Sequence, residues 1–216
     1  MKHFAEGFQY KVYDIGNNRV LKKTQSYLYT FFKVFVLVRE RENASIFKAF
    51  VVAVNSNKEN KRALQKMKEK MKVIPLDLFA NPEFIGDTLN FTQDKVTPVE
   101  DYLIQSSLEN NKKIVDGYIE LQKLFWSYGI HDSVYKFQPN YGVNSQGKVV
   151  CIDFGEFIFT KLEALKNLEK GKWFFRLSYK KWAESEIKTY YTDAMKRTMV
   201  KDVLQKYWNT KIPNSV

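Results

Sequence analysis

Apolar and polar residues alternate near the start of the chain in the pattern of β-strands. The alternating run that begins at Phe8 meets the turn residues Gly16-Asn17-Asn18, and a second run, Val20-Leu21-Lys22, follows at once. A similar arrangement recurs where Val143 and residues 148–152 flank Asn144-Ser145-Gln146-Gly147. Each of these two segments predicts a β-hairpin.

The spacing of the apolar residues becomes helical between residues 26 and 71. Three groups share this period: Phe31, Phe32, Phe35 and Val38; Ile46, Phe50 and Val54; and Ala63, Leu64, Met67 and Met71. The first two groups predict packed helices. In the third group lysine and glutamate fill the remaining positions, which predicts a surface helix.

Short strands and further helices are predicted beyond Pro75, which ends the helical pattern. Segments 84–85, 88–92 and 94–99 have the composition of short strands, and residues 114–128 predict a helix that ends before Gly129. From residue 162 to 208 the pattern is mostly helical. This order of elements predicts an α+β protein, with a small N-terminal antiparallel sheet and a mainly helical C-terminal part.

Charge adds information about the surface. The chain has 35 lysines and arginines against 24 aspartates and glutamates, a formal net charge of +11, which attracts polyanions. Much of the excess lies at 58–72 and 161–181, where basic runs are typical of solvated helix faces. Nucleic-acid binding stays open as an alternative, because aromatic residues that can stack on bases lie among these lysines: Trp173, Phe174, Phe175 and Trp182.

Cysteine content and hydropathy bear on where the protein works. Cys151 is the only cysteine, which excludes an internal disulfide and a cysteine-based zinc site and favours a reducing compartment. The N-terminal sequence lacks the layout of a signal peptide, and no stretch has the roughly 18–20 apolar residues of a membrane-spanning helix. We therefore expect a soluble, cytoplasmic protein with no membrane partner.

Polar residues suited to phosphate chemistry lie in the segment Gly129–Glu156. Asp132 and Asn140 occupy a predicted loop, and Asp153 directly follows the apolar run Val149-Val150-Cys151-Ile152. Phosphoryl transfer needs metal-holding groups near the triphosphate, a carboxylate near the attacking hydroxyl and a cation for the phosphates. An aspartate that follows a buried strand is pre-positioned to hold a metal ion.

At these residues the sequence resembles the protein-kinase-like superfamily, including its aminoglycoside- and choline-kinase-like branches. Asp153-Phe154-Gly155 is similar to the metal-binding Asp-Phe-Gly motif, and Asn140 is similar to the second metal ligand. The resemblance implies that Asn140 and Asp153 hold Mg²⁺ bound to ATP. For Asp132 it implies a catalytic role as acceptor of the hydroxyl proton. The loop from Asp132 to Asn140 is longer than its counterpart in protein kinases.

The resemblance extends, through weaker motifs, back to the N-terminal hairpin. Lys22 resembles the strand lysine that contacts the ATP phosphates, and strand register decides whether Lys22 or Lys23 points inward. Gln93, Lys95 and Val96 fall in a segment that is similar to the hinge whose backbone binds adenine. These residues are therefore predicted to bind the cofactor.

A kinase-like fold also implies a division of the chain. Residues 1–96 would form an N-terminal nucleotide-covering lobe with inserted helices, and residues 97–216 a reduced helical lobe with the catalytic and metal loops. A helix glutamate would pair with Lys22. Several glutamates lie at a suitable distance, and the sequence leaves the choice open between Glu40, Glu42, Glu59 and Glu69.

Three functions remain compatible with these residues. The first is an atypical kinase-like phosphotransferase that binds Mg-ATP and acts on an unidentified hydroxyl of a small molecule or a protein. The second is a pseudokinase, a nucleotide-binding or protein-interaction module, which the lengthened loop favours. The third is nucleic-acid binding. A multi-histidine phosphohydrolase, suggested by His131-Asp132, is excluded because the chain has only two histidines.

Overall fold

A computed structural model of the protein describes residues 2–7, 9–171, 173–174 and 185–212. The chain forms two compact units. The N-terminal unit comprises Met1–Val73 and Asn81–Lys95, and the C-terminal unit comprises Ile74–Ala80 and Val96–Val216. The main division thus follows Lys95, where the sequence predicts it after residue 96, and the short segment Ile74–Ala80 belongs to the C-terminal unit.

The N-terminal unit contains a five-stranded antiparallel sheet with the strand order β1-β2-β3-β5-β4. Its strands are β1 (Lys2–Glu6), β2 (Tyr10–Gly16), β3 (Arg19–Thr24), β4 (Glu83–Phe84) and β5 (Phe91–Asp94). Two helices connect β3 to the rest of the unit, α1 (Tyr27–Glu42) and α2 (Ile46–Lys70). Serine side chains cap both helices, because Ser26 accepts from the Tyr29 N–H and Ser45 from the Lys48 N–H.

The first predicted hairpin is confirmed. Asn17 and Asn18 form its two-residue loop with φ of 49° and 55°, the left-handed conformation that a tight hairpin of this length requires. The register pairs Lys22 with Val12 on β2 and with Phe91 on β5. It buries Lys22 and leaves Lys23 exposed. The register that the sequence left open therefore places Lys22 on the inner face.

The helices α1 and α2 are confirmed, but the buried face of α2 is not the one predicted. Ile46 and Phe50 are 66% and 51% exposed, whereas Ala49 and Ala53 are completely buried. The cluster around Ala49 includes Val38 of α1, so the small side chains face the neighbouring helix. The prediction was wrong because both stripes have a helical period, and small residues allow the closer approach.

The C-terminal unit is mainly helical with two small antiparallel sheets, β6-β8-β9 and β7-β10. The strands are β6 (Thr97–Pro98), β7 (His131–Asp132), β8 (Tyr141–Val143), β9 (Val149–Cys151) and β10 (Phe157–Ile158). The helices are α3 (Val99–Gln105), α4 (Leu108–Ser127), α5 (Phe137–Asn140), α6 (Lys161–Glu169), α7 (Ser185–Thr198) and α8 (Lys201–Tyr207), and Leu76–Phe79 is a short 3₁₀ helix. The second predicted hairpin is confirmed by the pairing of β8 with β9.

Aromatic side chains form much of the core of the C-terminal unit. Phe79 stacks on Phe125 with ring centroids 5.2 Å apart and meets the edge of Phe154 at 5.6 Å. Both geometries are favourable for aromatic pairs. A second cluster lies around the buried Tyr118, whose ring is 4.6 Å from Phe137 and 4.8 Å from Tyr141. The two predicted metal ligands adjoin these clusters, because Asn140 precedes Tyr141 and Asp153 precedes Phe154 in the chain.

The predicted α+β class is confirmed by these helices and small antiparallel sheets. Within the described ranges, no helix combines the length and the apolar character that crossing a membrane requires.

Candidate functional site

The structure brings together the two predicted metal ligands, Asn140 and Asp153. The backbone carbonyl of Asn140, at the end of α5, accepts hydrogen bonds from the N–H groups of Ile152 at 2.8 Å and Asp153 at 3.2 Å. These bonds fix the chain that follows β9 against the end of α5. Two residues that are thirteen positions apart in sequence therefore become neighbours through the backbone.

The side chains of this pair have unused hydrogen-bonding capacity. Oδ1 of Asp153 is buried and has no hydrogen-bond partner among the residues that the structure describes. Asn140 is buried as well, and no described residue forms a hydrogen bond with its side-chain amide. A buried carboxylate oxygen without a partner is unfavourable by about 1–3 kcal/mol or more, so it marks a place where a cation would be stabilised.

Close packing fixes the positions of the two segments that carry Asn140 and Asp153. Phe154, which follows Asp153, is 1% exposed and is anchored on Phe79. Gly142 lies in β8, where a Cβ would overlap Cγ2 of Val96 and would be 3.1 Å from the Thr97 carbonyl oxygen. Only glycine fits there without a shift of β6, so the segment that carries Asn140 is held close to the residues of β6.

An ion pair ties the loop before Asn140 to the residue after Gly155. Nζ of Lys136 is 2.7 Å from Oε2 of Glu156, and both side chains are partly buried. Ser133 donates to the Glu156 carbonyl through its N–H at 3.2 Å and through Oγ at 2.6 Å. Sequence reasoning missed Lys136 and Ser133, because only the pairing of β7 with β10 brings positions twenty or more residues apart together.

Asp132 lies in an environment that does not fit its predicted catalytic role. It is 3% exposed, and its Oδ1 accepts from the N–H groups of Val134 at 2.9 Å and Tyr135 at 3.0 Å. Its Oδ2 accepts from the Tyr141 hydroxyl at 2.7 Å. Burial raises the pKa of Asp132, although these hydrogen bonds oppose the rise. These hydrogen bonds hold the loop in shape, and burial leaves little of the carboxylate accessible from outside.

The neighbouring His131 is also a structural group. Nε1 of Trp126 donates to its Nδ1 at 2.8 Å, so the proton of the neutral ring is on Nε2, which lies 3.1 Å from Oδ1 of Asn167. Tyr135 lies on the same side, with its hydroxyl 3.0 Å from Nε2. Burial lowers the pKa of His131 to about 4, and the bond to Asn167 opposes that shift.

The remaining candidate ligands are few. No group of three or more histidine, cysteine, aspartate or glutamate side chains that could hold a metal occurs among the residues that the structure describes. A cation at Asn140 and Asp153 would therefore need further oxygen ligands. Mg²⁺ commonly binds proteins through one or two side chains and takes its other ligands from phosphates and water. The amide and carboxylate oxygens present fit that ion.

In the N-terminal unit, Lys22 occupies an inner position of β3. The residue is 7% exposed, and its Nζ lies 5.9 Å from the ring centroid of Tyr10 and 5.8 Å from that of Phe91. Lys23 instead lies over Tyr13 on the exposed side, at 5.5 Å. The two lysines are thus distinguished by the alternation of side chains along a strand.

Four glutamates were candidates for an ion pair with Lys22, and the structure describes the side chains of three of them. Glu40, Glu59 and Glu69 are exposed, and none of them forms an ion pair with Lys22. The side chain of Glu42 lies outside the described part of the structure.

The predicted hinge residues differ in their environments. Gln93 is 1% exposed within β5, where it pairs with Val20. Lys95 donates its N–H to the Asn18 carbonyl at 2.8 Å and its Nζ to Asp14 at 2.7 Å. Because these bonds use the backbone donor and the side chain of Lys95, its predicted role in adenine binding does not fit. Val96 packs against Gly142.

The aromatic residues proposed to stack on nucleic-acid bases are only partly described. Trp173 is 8% exposed, so its ring is not available to a base, whereas Phe174 is 54% exposed. Phe175 and Trp182 lie outside the described residues. Of the four aromatic residues named for base stacking, two are described, and Phe174 is the exposed one of these two.

Comparison with known proteins adds no assignment. No protein-family model matches the chain, and no significant match to a curated protein was found.

Proposed function

We propose that this protein is an atypical kinase-like phosphotransferase that binds Mg-ATP through Asn140 and Asp153 and transfers phosphate to a hydroxyl group. One observation carries the proposal: the buried Oδ1 of Asp153 has no hydrogen-bond partner and lies on the segment that the Asn140 carbonyl holds in place. A cation would compensate this oxygen. The inference that this cation is bound to ATP rests on the resemblance of the same residues to the metal-binding motif of kinases.

In this proposal each residue has a limited task. Asn140 and Asp153 would hold the ion, which when bound neutralises charge on the phosphates. Lys22 stays a predicted phosphate contact. Asp132 acts as a positioning residue, because its three hydrogen bonds order the loop from Ser133 to Asn140.

A pseudokinase is the second candidate, and the environment of Asp132 favours it. A general base contributes about 10²–10⁴-fold to the rate of a proton transfer. Asp132 is buried and already accepts three hydrogen bonds, so it is poorly placed to receive a proton from an acceptor hydroxyl. Such a protein would bind Mg-ATP and turn it over slowly or not at all.

Calorimetry with ATP, with and without Mg²⁺, tests the binding that both candidates share. We expect wild-type binding to depend on Mg²⁺ and to weaken by at least about tenfold in Asp153→Asn, because the substitution removes the charge that the cation requires. Asp193→Asn is the matched control, since Asp193 is an exposed residue of α7. Equal affinity in wild type and Asp153→Asn would reject the proposed metal site.

Turnover separates the two candidates. We expect the phosphotransferase to transfer the γ-phosphate of ATP to water or to one of its own hydroxyl groups, with release of ADP in either case, and to lose this activity in Asp153→Asn. Mg-dependent binding without turnover above background would instead assign the pseudokinase.

A further inference from the structure

A polar cavity lies wholly within the N-terminal unit. Its volume is about 240 Å³, close to the lower end for small-molecule sites. Amide and hydroxyl side chains form its polar lining: Gln9, Thr24, Gln25, Thr30, Asn57 and Asn60. Leu64 and Leu89 add apolar surface. This combination of a few polar groups with apolar walls is typical of a ligand site.

Two of the lining groups are buried without hydrogen-bond partners. Asn57 lies in the middle of α2 and is 8% exposed, and its Nδ2 has no hydrogen-bond partner in the described part of the chain. Oε1 of Gln9 is buried and unpartnered as well. Each such group is unfavourable by about 1–3 kcal/mol when nothing satisfies it. One unused donor and one unused acceptor in the same cavity would be satisfied together by a molecule with an amide-type edge.

The cavity adjoins a larger one, whose lining includes three lysines and two carboxylates, those of Glu69 and Asp87. This outer cavity has a volume of about 750 Å³ and shares Thr24, Lys61 and Leu89 with the smaller inner cavity. Lys68 and Lys72 also line it, and Lys68 donates to the carbonyls of Gly86 and Thr88. Lys61, at the junction, is exposed and has no ion-pair partner among the described residues. Lys61 therefore provides a cation for an anionic group at the junction with the amide-lined cavity.

We propose that these adjoining cavities bind a pyrimidine nucleoside monophosphate. Its base would enter the inner cavity, where a ring carbonyl accepts from Nδ2 of Asn57 and the ring N–H donates to Oε1 of Gln9. Its phosphate would lie in the outer cavity near Lys61. This site involves neither Asn140 nor Asp153 and requires no metal, so it is independent of the function proposed above.

Calorimetry with uridine 5′-monophosphate, uridine and inorganic phosphate tests the site in the absence of Mg²⁺. We expect the monophosphate to bind more tightly than uridine or phosphate alone, and equally well to wild type and Asp153→Asn. Asn57→Leu should weaken its binding by at least about tenfold, because the base loses a hydrogen bond in a buried site. Asn55→Leu is the matched control, since Asn55 is exposed on the same helix.

A second variant keeps the test valid if Asn57→Leu does not fold. Lys61→Ala changes an exposed side chain, and it should reduce the affinity for the monophosphate to that for uridine and remove its salt dependence. The proposal is overturned if folded wild type shows no saturable binding of the monophosphate, if phosphate alone binds as tightly, or if folded Asn57→Leu and Lys61→Ala both bind it like wild type.

Discussion

Two adjacent residues, His131 and Asp132, show how burial decides the chemistry of a side chain. Trp126 donates to one ring nitrogen of His131, so protonation of that nitrogen would place two N–H groups against each other. Asp132 is equally buried, but three hydrogen bonds from Val134, Tyr135 and Tyr141 support its carboxylate. The sequence predicts a catalytic role for Asp132, whereas in the fold the polar atoms of both side chains form hydrogen bonds within the protein.

The pKa of His131 predicts how the free energy of unfolding changes with pH. Its folded-state pKa of about 4 is below the ordinary value of about 6.5. Above pH ~6.5 both states are neutral, so the stabilisation is complete there. Below that pH only the unfolded state gains a proton, and the free energy of unfolding falls by up to about 3 kcal/mol as the pH approaches ~4.

Urea unfolding of wild type and His131→Gln between pH 7.5 and 5 measures this effect. The raised pKa of Asp132 acts in the opposite direction, because its protonation on acidification relieves the burial of charge. That contribution is common to both proteins and is removed by subtraction. We expect the advantage of wild type over His131→Gln to shrink by about 2 kcal/mol across this range. A constant difference would show that His131 is protonated equally in both states.

At the scale of elements, the contact between β8 and β6 depends on Gly142. A Cβ at this position would overlap Val96 and approach the Thr97 carbonyl at 3.1 Å. We expect Gly142→Ala to lower the free energy of unfolding by about 1–3 kcal/mol, as overpacking of a tight contact does. Chemical denaturation measures the change.

The double variant Gly142→Ala/Val96→Ala serves as the test of that cause. Removing the Val96 methyl groups should restore part of the lost free energy, while the contact with the backbone of Thr97 keeps the rest. If Gly142→Ala lowers the free energy of unfolding equally in wild type and in Val96→Ala, the new methyl group does not clash with Val96.

Helix α2 illustrates why the period of apolar residues does not identify the buried face. Its sequence contains a stripe of large residues, Ile46 and Phe50, and a stripe of small ones, Ala49 and Ala53. The small stripe is buried because α1 packs close to it. The buried stripe also includes Asn57, a polar residue whose position became informative only when the cavity around it was visible.

At the scale of the C-terminal unit, the end of the described chain returns to the end of α4. The N–H groups of Asn209 and Lys211 donate to the carbonyls of Trp126 and Ser127 at 3.0 Å each. These carbonyls lie in the last turn of α4, beyond the reach of the regular helical hydrogen bonds, and the Trp126 carbonyl also accepts from the Gly129 N–H at 2.9 Å. Residues about eighty positions apart therefore share one helix terminus.

Gly129 sits within this contact, and its replacement tests it. Its φ is +66°, and a Cβ would overlap Oδ1 of Asn209. Gly147→Ala is the matched control, because Gly147 has a φ of +75° with no atom within 4 Å of a Cβ. We expect Gly147→Ala to cost about 1–2 kcal/mol from the left-handed backbone alone, and Gly129→Ala to cost more in thermal unfolding. Equal costs would mean that residue 209 does not restrict this site.

At the scale of the whole molecule, the net charge determines which classes of ligand the surface attracts. The surplus of basic residues gives a surface that attracts anions of every kind. It does not select among phosphate, nucleotide and nucleic acid, and the burial of Trp173 removes one ring on which base stacking would depend. Selectivity must come from local arrangements such as the amide-lined cavity beside Lys61.

The sequence by itself determined those features that depend on neighbouring residues. Asn17-Asn18 and Asn144–Gly147 specify tight hairpins because their backbones adopt the required turns, and the period of the apolar residues specifies the helices. The motif at Asp153 also marked the segment where a buried carboxylate oxygen lacks a partner. All of these are local properties of the chain.

Only the tertiary structure decided how distant residues are used. It made Asp132 a buried hydrogen-bond acceptor, used Lys95 in a bond to Asp14, and placed Asn57 beside a cavity. Burial, unsatisfied hydrogen bonds and pKa depend on side chains that approach from other elements. The identity of a residue therefore gives its chemistry, whereas its neighbours in space decide whether that chemistry is available.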